Sequence, residues 1–401
     1  MPTLTDYHEF AGRHWETGTV RNFLAYRGHT APHTGQPYTE ALLMGVSGGA
    51  VMGYFPFIYE GVDPMCRILT RNTFDPLNTL LARLGIVQTI LQTSLPARGV
   101  ANLVDTLDSG LPAIAWADAY SLPYNAPRPA DAMWAMYPLL VYGYDETRDI
   151  VHLADRAAVP LTITTAQLHT ARARIKKDKF RLLTLGAPNP DKLASAVQAG
   201  IWDCIKLYTE TPPKGSCNNF GLQAYRFWAE QLTRPKARLS WERIFPAGRP
   251  MFAALVTAFE DTNVSSRAPR ADRDAHAEFL DEASIILNRP PLREAARHFR
   301  RAGEAWDALS LALLPDEIPP FRETRENMLR RAQLFIEQGN DSLDERIALK
   351  DRFAALFKEM ETNFPLDPPG AASFREILAQ QVMRLHDVES EAVAALRDAM
   401  G

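Results

Sequence analysis

The first residues that could do chemistry stand at the start of an apolar-striped segment near the amino terminus. The stretch GRHWETGTVRNFLAYRG, residues 12–28, brings His14, Trp15 and Glu16 to the first turn of a predicted helix. That turn is a favoured place for a nucleophile, because the helix dipole stabilises negative charge there. His14 could act as a general base, but the Trp15 indole is neither nucleophile nor base. We therefore expect Trp15 and Glu16 to line a pocket; packing and helix capping are the alternatives.

A second polar cluster follows an apolar run. In WADAYSLPYN, residues 116–125, Asp118 ends a predicted strand and is followed by Tyr120 and Tyr124. Polar side chains at a strand end often face a cleft, so Asp118 is a candidate catalytic residue and the two tyrosines are candidate substrate-binding residues.

A glycine-rich stretch lies between these clusters. GVSGGAVMG, residues 45–53, has no Lys-Ser or Lys-Thr ending and does not fit a phosphate-binding loop. Gly48 and Gly49 are instead candidate substrate-binding residues, expected to allow a tight turn or a close backbone approach beside a cleft.

The spacing of apolar residues divides the chain into two regions. Up to about residue 188, short apolar runs are punctuated by Gly and Pro, which predicts an α+β domain over 1–188; from there to residue 401 the periodicity is helical. Pro290 and Pro291 separate two of these helices, Thr165 is a predicted N-cap, and Ser373 with Glu376 has capping-box spacing. The predicted strands are 111–118, 137–145 and 149–156, and the predicted amino-terminal helices are 17–27, 76–84, 99–109 and 165–175.

Composition excludes several classes of protein. The formal net charge of −4 and the sequence pI near 6.2 argue against a nucleic-acid partner. No apolar run approaches the ~20 residues that span a bilayer, and the start has no signal-peptide pattern, so a soluble cytoplasmic protein is expected.

Cys66, Cys204 and Cys217 are too scattered for a zinc site or a disulfide framework, and no metal is expected. Cys217, in a predicted loop, is the candidate for a substitute nucleophile.

Several motifs in one order resemble a known family. GRHWETGTVRNFLAYRG, GVSGGAVMGYFPF, LLARLGI, WADAYSLPYN, LLVYGYDE and VHLADR have the order and spacing of the butirosin biosynthesis protein H amino-terminal family. NNFGLQAYRFWAEQL (218–232), AEFLDEASIIL (277–287) and LREAARHFRRAGEAWDALSLAL (292–313) resemble the helical domain that usually follows it. The resemblance covers roughly residues 12–340.

The resemblance implies a papain-like fold related to cysteine peptidases. It also implies transfer of an acyl group from a carrier-protein thioester to an amine. In the family pattern a Cys follows the His of the first motif, a His precedes the central strand, and an Asp closes the next strand. The corresponding residues here are Trp15, approximately Tyr137, and Asp155, so two of the three catalytic identities are replaced.

Three functions remain open at this point. The first is an acyltransferase or chain-releasing enzyme that aligns a carrier-bound thioester with a small-molecule amine without a Cys acyl-enzyme. The second is a pseudoenzyme that binds the carrier or product as a scaffold. The third is altered small-molecule chemistry that uses His14 or Asp118. No cofactor is expected beyond a phosphopantetheine arm on the substrate, and a homodimer is left open.

A basic run suggests how a carrier protein would bind. RARIKKDKFR, residues 172–181, includes Arg172, Arg174, Lys176 and Lys177. A basic patch attracts an acidic partner and raises its association rate. The alternative is a solvated helix end whose cations complement the helix dipole.

Overall fold

The computed structural model describes residues 2–126, 135–177, 179–210, 218–264 and 270–401. These residues form two compact units, and neither unit is one continuous stretch of chain. The first unit comprises Met1–Leu43, Leu77–Leu193 and Arg331–Lys350, and the second comprises Met44–Pro76, Ala194–Arg330 and Asp351–Gly401.

This division differs from one boundary after residue 188. A break does lie close to that position, at Leu193, but residues 44–76 belong with the carboxy-terminal half and residues 331–350 with the amino-terminal half. Hydrophobic periodicity indicates which residues are buried, but it does not indicate which other segment of the chain packs against them.

The described helices and strands are numbered in chain order. The helices are α1 Thr17–Tyr26, α2 Glu40–Val46, α3 Pro76–Arg83, α4 Pro96–Asp108, α5 Thr165–Ala173, α6 Leu193–Thr209, α7 Gly221–Thr233, α8 Trp241–Ile244, α9 Arg249–Asn263, α10 Arg273–Ile286, α11 Leu292–Leu313, α12 Pro319–Gln338, α13 Leu343–Glu359 and α14 Pro368–Met400. The strands are β1 Ala50–Phe57, β2 Met65–Arg71, β3 Gln88–Leu91, β4 Ala113–Asp118, β5 Met136–Asp145, β6 Ile150–Ala154, β7 Leu161–Ile163 and β8 Leu182–Leu185.

The first unit is built on one antiparallel sheet with the strand order β3-β8-β4-β5-β6-β7. Its central strands are buried along almost their whole length because AIAWAD and LLVYG are apolar at successive positions. The chain is thus mixed α/β, with this sheet in the amino-terminal part and a helical carboxy-terminal half.

Most of the sequence predictions for the first unit are confirmed. β4, β5 and β6 correspond to the three predicted strands, and α1, α3, α4 and α5 to the predicted helices, with ends that differ by a few residues. The short strands β3, β7 and β8 were missed because three or four residues carry too little alternation to detect.

Two predicted helix caps are wrong. Thr164, and not Thr165, is the N-cap of α5, because its side chain accepts a hydrogen bond from the N–H of Gln167 in a capping box. In the carboxy-terminal helix, Asp367 accepts from the N–H of Gly370, so α14 begins before the capping-box spacing at Ser373. Both errors come from choosing the later of two candidate caps.

The second unit is helical except for the antiparallel hairpin of β1 and β2. A fully buried ion pair lies in its core, with Arg273 Nε 2.6 Å from Glu389 Oε1. The Tyr208 hydroxyl and the Trp306 indole N–H also donate to the Glu389 carboxylate. These hydrogen bonds tie α6, α10, α11 and α14 together and offset the cost of burying the two charges.

Gly48 and Gly49 form the turn before β1 in the second unit. Both have positive φ, 120° and 71°. A Cβ atom on Gly48 would lie 2.3 Å from Asn72 Nδ2, and one on Gly49 would lie 2.7 Å from His276 Cε1. The expected tight turn with close approach is therefore present, because only glycine fits here.

Among the described residues, no helix combines the length and the apolar character that a membrane span requires.

The segment 331–350 completes the first unit. Arg346 Nη1 donates to the carbonyl of Tyr124 at 2.6 Å, and the Asn340 side chain bonds both backbone groups of Thr162. The buried Arg346 guanidinium also donates to the Gly339 carbonyl. The sheet-containing unit therefore depends on residues far along the chain.

Residues 1–188 expressed alone should unfold at a lower temperature than the full chain, because the carbonyl of Tyr124 and the backbone of Thr162 lose their partners. In the full chain, Arg346→Met should destabilise by about 1–3 kcal/mol for the same reason. Circular dichroism melting measures both effects, and equal melting temperatures for the fragment and the full chain would contradict the assignment.

Acid should destabilise the second unit through His276. This side chain is fully buried, and its Nδ1 accepts from the N–H of Ala50. Burial, assisted by Arg273, lowers the pKa of His276 to about 3. The unfolded chain binds a proton near pH 6.5 that the folded chain does not bind until about pH 3, so stability falls as pH drops through this window.

Between pH 6.5 and pH 5 the loss due to His276 should be about 2 kcal/mol. His276→Gln should lower stability at pH 7 but flatten this part of the pH profile. Urea unfolding at several pH values gives the slopes, and a variant slope equal to that of the wild type would refute the assignment.

Candidate functional site

The loop before α1 is held by one buried carboxylate. Glu40 accepts a hydrogen bond from the N–H of Arg13 at 2.7 Å and another from the Thr17 hydroxyl at 3.0 Å. Gly12 and Gly18 let the loop cross the helix start, since a Cβ on Gly12 would lie 2.3 Å from the Gly18 carbonyl oxygen. These contacts fix the residues between them, including Trp15, at the amino end of α1.

The strands β5 and β6 bring the other two positions to the same place. Leu140 pairs with Ala154, and one further step of this register places Asp155 opposite Leu139. Alternation then puts Tyr137 on the same face of the sheet as Asp155. The structure thus brings together three of the predicted residues: Trp15, Tyr137 and Asp155.

Trp15 and Tyr137 are stacked ring on ring. Their ring centroids are 3.9 Å apart and the planes differ by 9°. The Arg156 guanidinium lies over the same indole, with Cζ 4.5 Å from the ring centroid, and also 5.0 Å from the Phe335 ring. Stacking and cation–π attraction make this aromatic cluster of Trp15, Tyr137, Arg156 and Phe335 self-supporting.

Asp155 is buried and engaged at both oxygens. Its Oδ1 accepts from Arg156 Nε at 2.9 Å, and its Oδ2 accepts from the Tyr124 hydroxyl at 2.9 Å and from Arg156 Nη2 at 3.1 Å. Burial, followed by the Asp155 charge, raises the pKa of Tyr124 well above its ordinary value. Tyr124 therefore stays a phenol and acts as a hydrogen-bond donor.

Arg156 is the central cation of the cluster. Burial is the largest influence and lowers the pKa of the guanidinium, but the charge and hydrogen bonds of Asp155, together with Tyr124 and Tyr137, outweigh burial, and the net effect raises this pKa. Its Nη2 also donates to Asn125 Oδ1 at 2.6 Å. Arg156 has a φ of 57°, which is unusual for a residue other than glycine. This backbone geometry is maintained by the side-chain contacts.

His14 and Glu16 flank Trp15 and are both half-buried. The N–H of Glu16 donates to His14 Nδ1 at 3.3 Å, which leaves the proton of a neutral imidazole on Nε2. His14 contacts the Trp15 ring edge-on, with centroids 6.1 Å apart. Glu16 occupies the N-cap position of α1, but its side chain makes no capping hydrogen bond.

Asp118 is used to shape the loop that follows β4. It is completely buried and accepts from the N–H of Ala135 at 2.9 Å and from the Ser121 hydroxyl at 2.6 Å. The N–H of Tyr120 and the Nε of Arg174 complete its partners. With both oxygens occupied, the geometry favours a structural role for Asp118 over the expected catalytic one. The Tyr120 side chain is exposed and Tyr124 is buried.

The basic run 172–181 divides into buried and exposed cations. Arg172 is 1% exposed and donates to the carbonyls of Gly99 and Phe180, so it cannot bind a partner as expected. Burial lowers the pKa of Arg172 to about 10. Arg174 is paired with Asp118, whereas Lys176 and Lys177 are exposed.

The cysteines do not supply a nucleophile to this cluster. Cys66 and Cys204 lie in the second unit, and burial raises the pKa of both thiols. Cys217 lies outside the described residues. Gly48 and Gly49 are also in the second unit, where their close approaches are to Asn72 and His276.

Comparison with known families now adds to this geometry. Residues 14–156 match the family model described as butirosin biosynthesis protein H, N-terminal. The match is to one segment of the chain, residues 14–156 of 401. The match begins at His14 and ends at Arg156, two residues that contact Trp15. A search of curated proteins finds no match to the chain.

Within the first unit, sequence reasoning missed Arg156, Phe335 and Glu40. Arg156 directly follows Asp155 in the motif VHLADR, so its position beside the expected triad was a usable signal. Phe335 lies 179 residues beyond the end of the family match and carried no local signal. Glu40 looked like an ordinary charged residue before an apolar helix.

Removing the cation from the cluster should destabilise the first unit. Arg156→Met leaves the buried Asp155 carboxylate without its ion partner, and such a loss costs about 3–5 kcal/mol. The matched control is Arg148→Met, because Arg148 is largely exposed and pairs only loosely with Asp145. Its cost should stay below about 0.5 kcal/mol. Urea unfolding compares the two variants, and equal effects would refute the role of Arg156.

Proposed function

We propose that the chain serves natural-product biosynthesis of the butirosin type by handling a carrier-bound acyl thioester without an acyl-enzyme. The amino-terminal domain would bind the acyl group on its phosphopantetheine arm and align the thioester for direct attack by a small-molecule amine. The family name supports the kind of pathway. The reaction and substrate are our proposal.

The stacked pair of Trp15 and Tyr137 is the observation that carries the proposal. The resemblance implies a Cys and a His near these two positions, and the rings lie 3.9 Å apart with nearly parallel planes. An indole and a phenol cannot form and resolve a thioester at neutral pH. What they offer is a flat half-buried wall beside the amino terminus of α1.

We propose a papain-like arrangement for this domain. The amino end of α1 packs near β5, and the antiparallel partner strand β6 is followed by Asp155. This is the arrangement in which a helix-borne group faces two strand-borne groups. The support for a papain-like arrangement is the order and pairing of α1, β5 and β6.

Direct transfer depends on the positioning of the thioester and the amine, and it needs no nucleophilic side chain from the protein. The amine nitrogen attacks the thioester carbonyl carbon, the C–S bond breaks, and the proton lost by nitrogen passes to the departing pantetheine sulfur. The dipole of α1 would stabilise the developing oxyanion, and the Trp15 wall would hold the acyl group. In this proposal His14 would donate a hydrogen bond to the reacting group, and its edge-on contact with the Trp15 ring supports that role.

A second candidate is a scaffold that binds the carrier or its product without turnover. The saturated hydrogen bonding of Asp155 favours it, because Arg156 and Tyr124 leave this carboxylate no imidazole to orient. The third function, altered chemistry through His14 or Asp118, is weakened by the four partners of Asp118.

Mass spectrometry and amide formation separate these candidates. With an acylated carrier protein and an amine, the wild type should raise the rate of amide formation while its own mass stays unchanged. Trp15→Phe keeps an aromatic wall and should retain most of the rate. Trp15→Leu should lose it, with normal circular dichroism as the folding control. A wild type that binds the carrier but gives no rate increase would favour the scaffold.

The double variant Trp15→Cys, Tyr137→His tests the site directly. Unlike the wild type, this double variant should form a covalent acyl adduct. The Arg156 cation lowers the pKa of a neighbouring thiol, and the new imidazole can accept the proton of that thiol. Trp15→Cys alone should trap little. Loss of the indole costs about 3–5 kcal/mol, so folding is checked first by thermal melting. An acyl adduct on a wild-type cysteine, lost together with activity when that cysteine is replaced, would overturn direct transfer.

A further inference from the structure

An exposed apolar surface with a basic border lies at one edge of the sheet in the first unit. We define the β3 surface by Val87, Ile90, Leu91 and Leu95, which are exposed, together with Arg98, Lys176, Lys177 and Lys179. Val87 is 73% exposed and Leu95 is 65% exposed, although both are aliphatic. Exposed aliphatic side chains gathered at one edge are typical of an interaction site.

Three contacts show that the segments carrying these residues are neighbours. Leu91 pairs with Leu182 in the β3–β8 ladder, which places the end of β3 beside the segment that carries the lysines. The Gln92 side chain donates to the carbonyl of Lys177 at 3.3 Å. A Cβ on Gly99 in α4 would lie 2.6 Å from Phe180, so the start of α4 also packs on this segment.

The strand β3 has an unpaired edge within the described sheet, because it is the first strand in the order and pairs with β8 alone. The N–H of Gly186 donates to the carbonyl of Val87, so Val87, Thr89 and Leu91 direct their backbone groups toward β8. The backbone groups of Gln88 and Ile90 then point outward. These outward N–H and C=O groups can form hydrogen bonds with polar groups of another protein. Burying them in lipid would be unfavourable, because lipid offers no hydrogen-bond partners.

The charges on this surface select an acidic partner. Residues 84–104 contain no Asp or Glu, and Arg98 is their one cation. Lys176, Lys177 and Lys179 add three more exposed cations. Since opposite charges raise association rates and apolar side chains supply affinity, the complementary surface carries acidic side chains around a small apolar patch.

We propose that the β3 surface docks an acidic protein domain that presents a small apolar patch. The inference rests on the proposed function, in which this partner is the carrier protein. It corrects the expected docking residues: Arg172 is buried, Arg174 pairs with Asp118, and the contacts come from Lys176, Lys177, Lys179, Arg98 and the aliphatic residues of β3.

Binding is measured with a fluorescently labelled phosphopantetheine-bearing acyl carrier protein and the full chain, by anisotropy at low and high salt. Lys176→Glu, Lys177→Glu, Lys179→Glu should weaken binding at least about ten-fold at low salt and less at high salt. The matched control is Arg234→Glu, Lys236→Glu, Arg238→Glu, which makes the same charge change at exposed positions of the second unit. It should change the affinity less than about two-fold.

The apolar part is tested by Leu91→Ser, Leu95→Ser, which should weaken binding at both salt concentrations. Absence of carrier binding by the wild type, or equal loss in the control triple variant, would overturn the docking proposal. So would a wild-type dimer that Leu91→Ser, Leu95→Ser dissociates in light scattering, or binding to phosphatidylserine vesicles lost with the lysines, because each assigns the surface to another occupant.

The same variants separate docking from the proposed function. Amide formation that proceeds at the wild-type rate in the lysine and leucine variants would refute docking at β3 and leave the proposed function intact. Carrier binding that depends on these residues, with no amide formed by the wild type, would support docking and refute direct transfer.

Discussion

The buried ion pair of Asp155 and Arg156 is the interaction on which the first unit depends. It joins the end of β6 to the loop before α1, because the guanidinium both pairs with the carboxylate and lies over the Trp15 ring. A buried carboxylate is costly without a partner. The side chains of Tyr124 and Asn125 complete the hydrogen bonding of the pair. The position where the family resemblance implies a nucleophile is therefore filled by the Trp15 ring, which is packed between Tyr137 and Arg156.

This arrangement changes what the aspartate does. In a catalytic triad, a carboxylate orients an imidazole and stabilises its charge. Here Asp155 neutralises a permanent cation, and Tyr137 stands near the position where the resemblance implies the imidazole. The site keeps an aromatic wall and the amino end of a helix dipole.

The sequence predicts the parts of this unit well and their assembly less well. The apolar runs of β4, β5 and β6 are long enough to detect, and the motif order indicates the family. The short strands β3 and β8 have only four residues each, so their pairing is decided by tertiary contacts. The role of Phe335 depends on a return of the chain that no local pattern encodes.

The return of residues 331–350 also sets an order of events during synthesis. The ribosome releases the strands of the sheet first, yet Phe335 and Arg346 emerge only after residues 194–330 of the second unit. At ordinary translation speeds of about 5–20 residues per second, the nascent sheet waits several seconds or more for its final segment. During that interval the sheet lacks the contacts of Phe335 and Arg346, so we expect efficient production of the protein to depend on the time between Leu193 and Arg331 as well as on final stability.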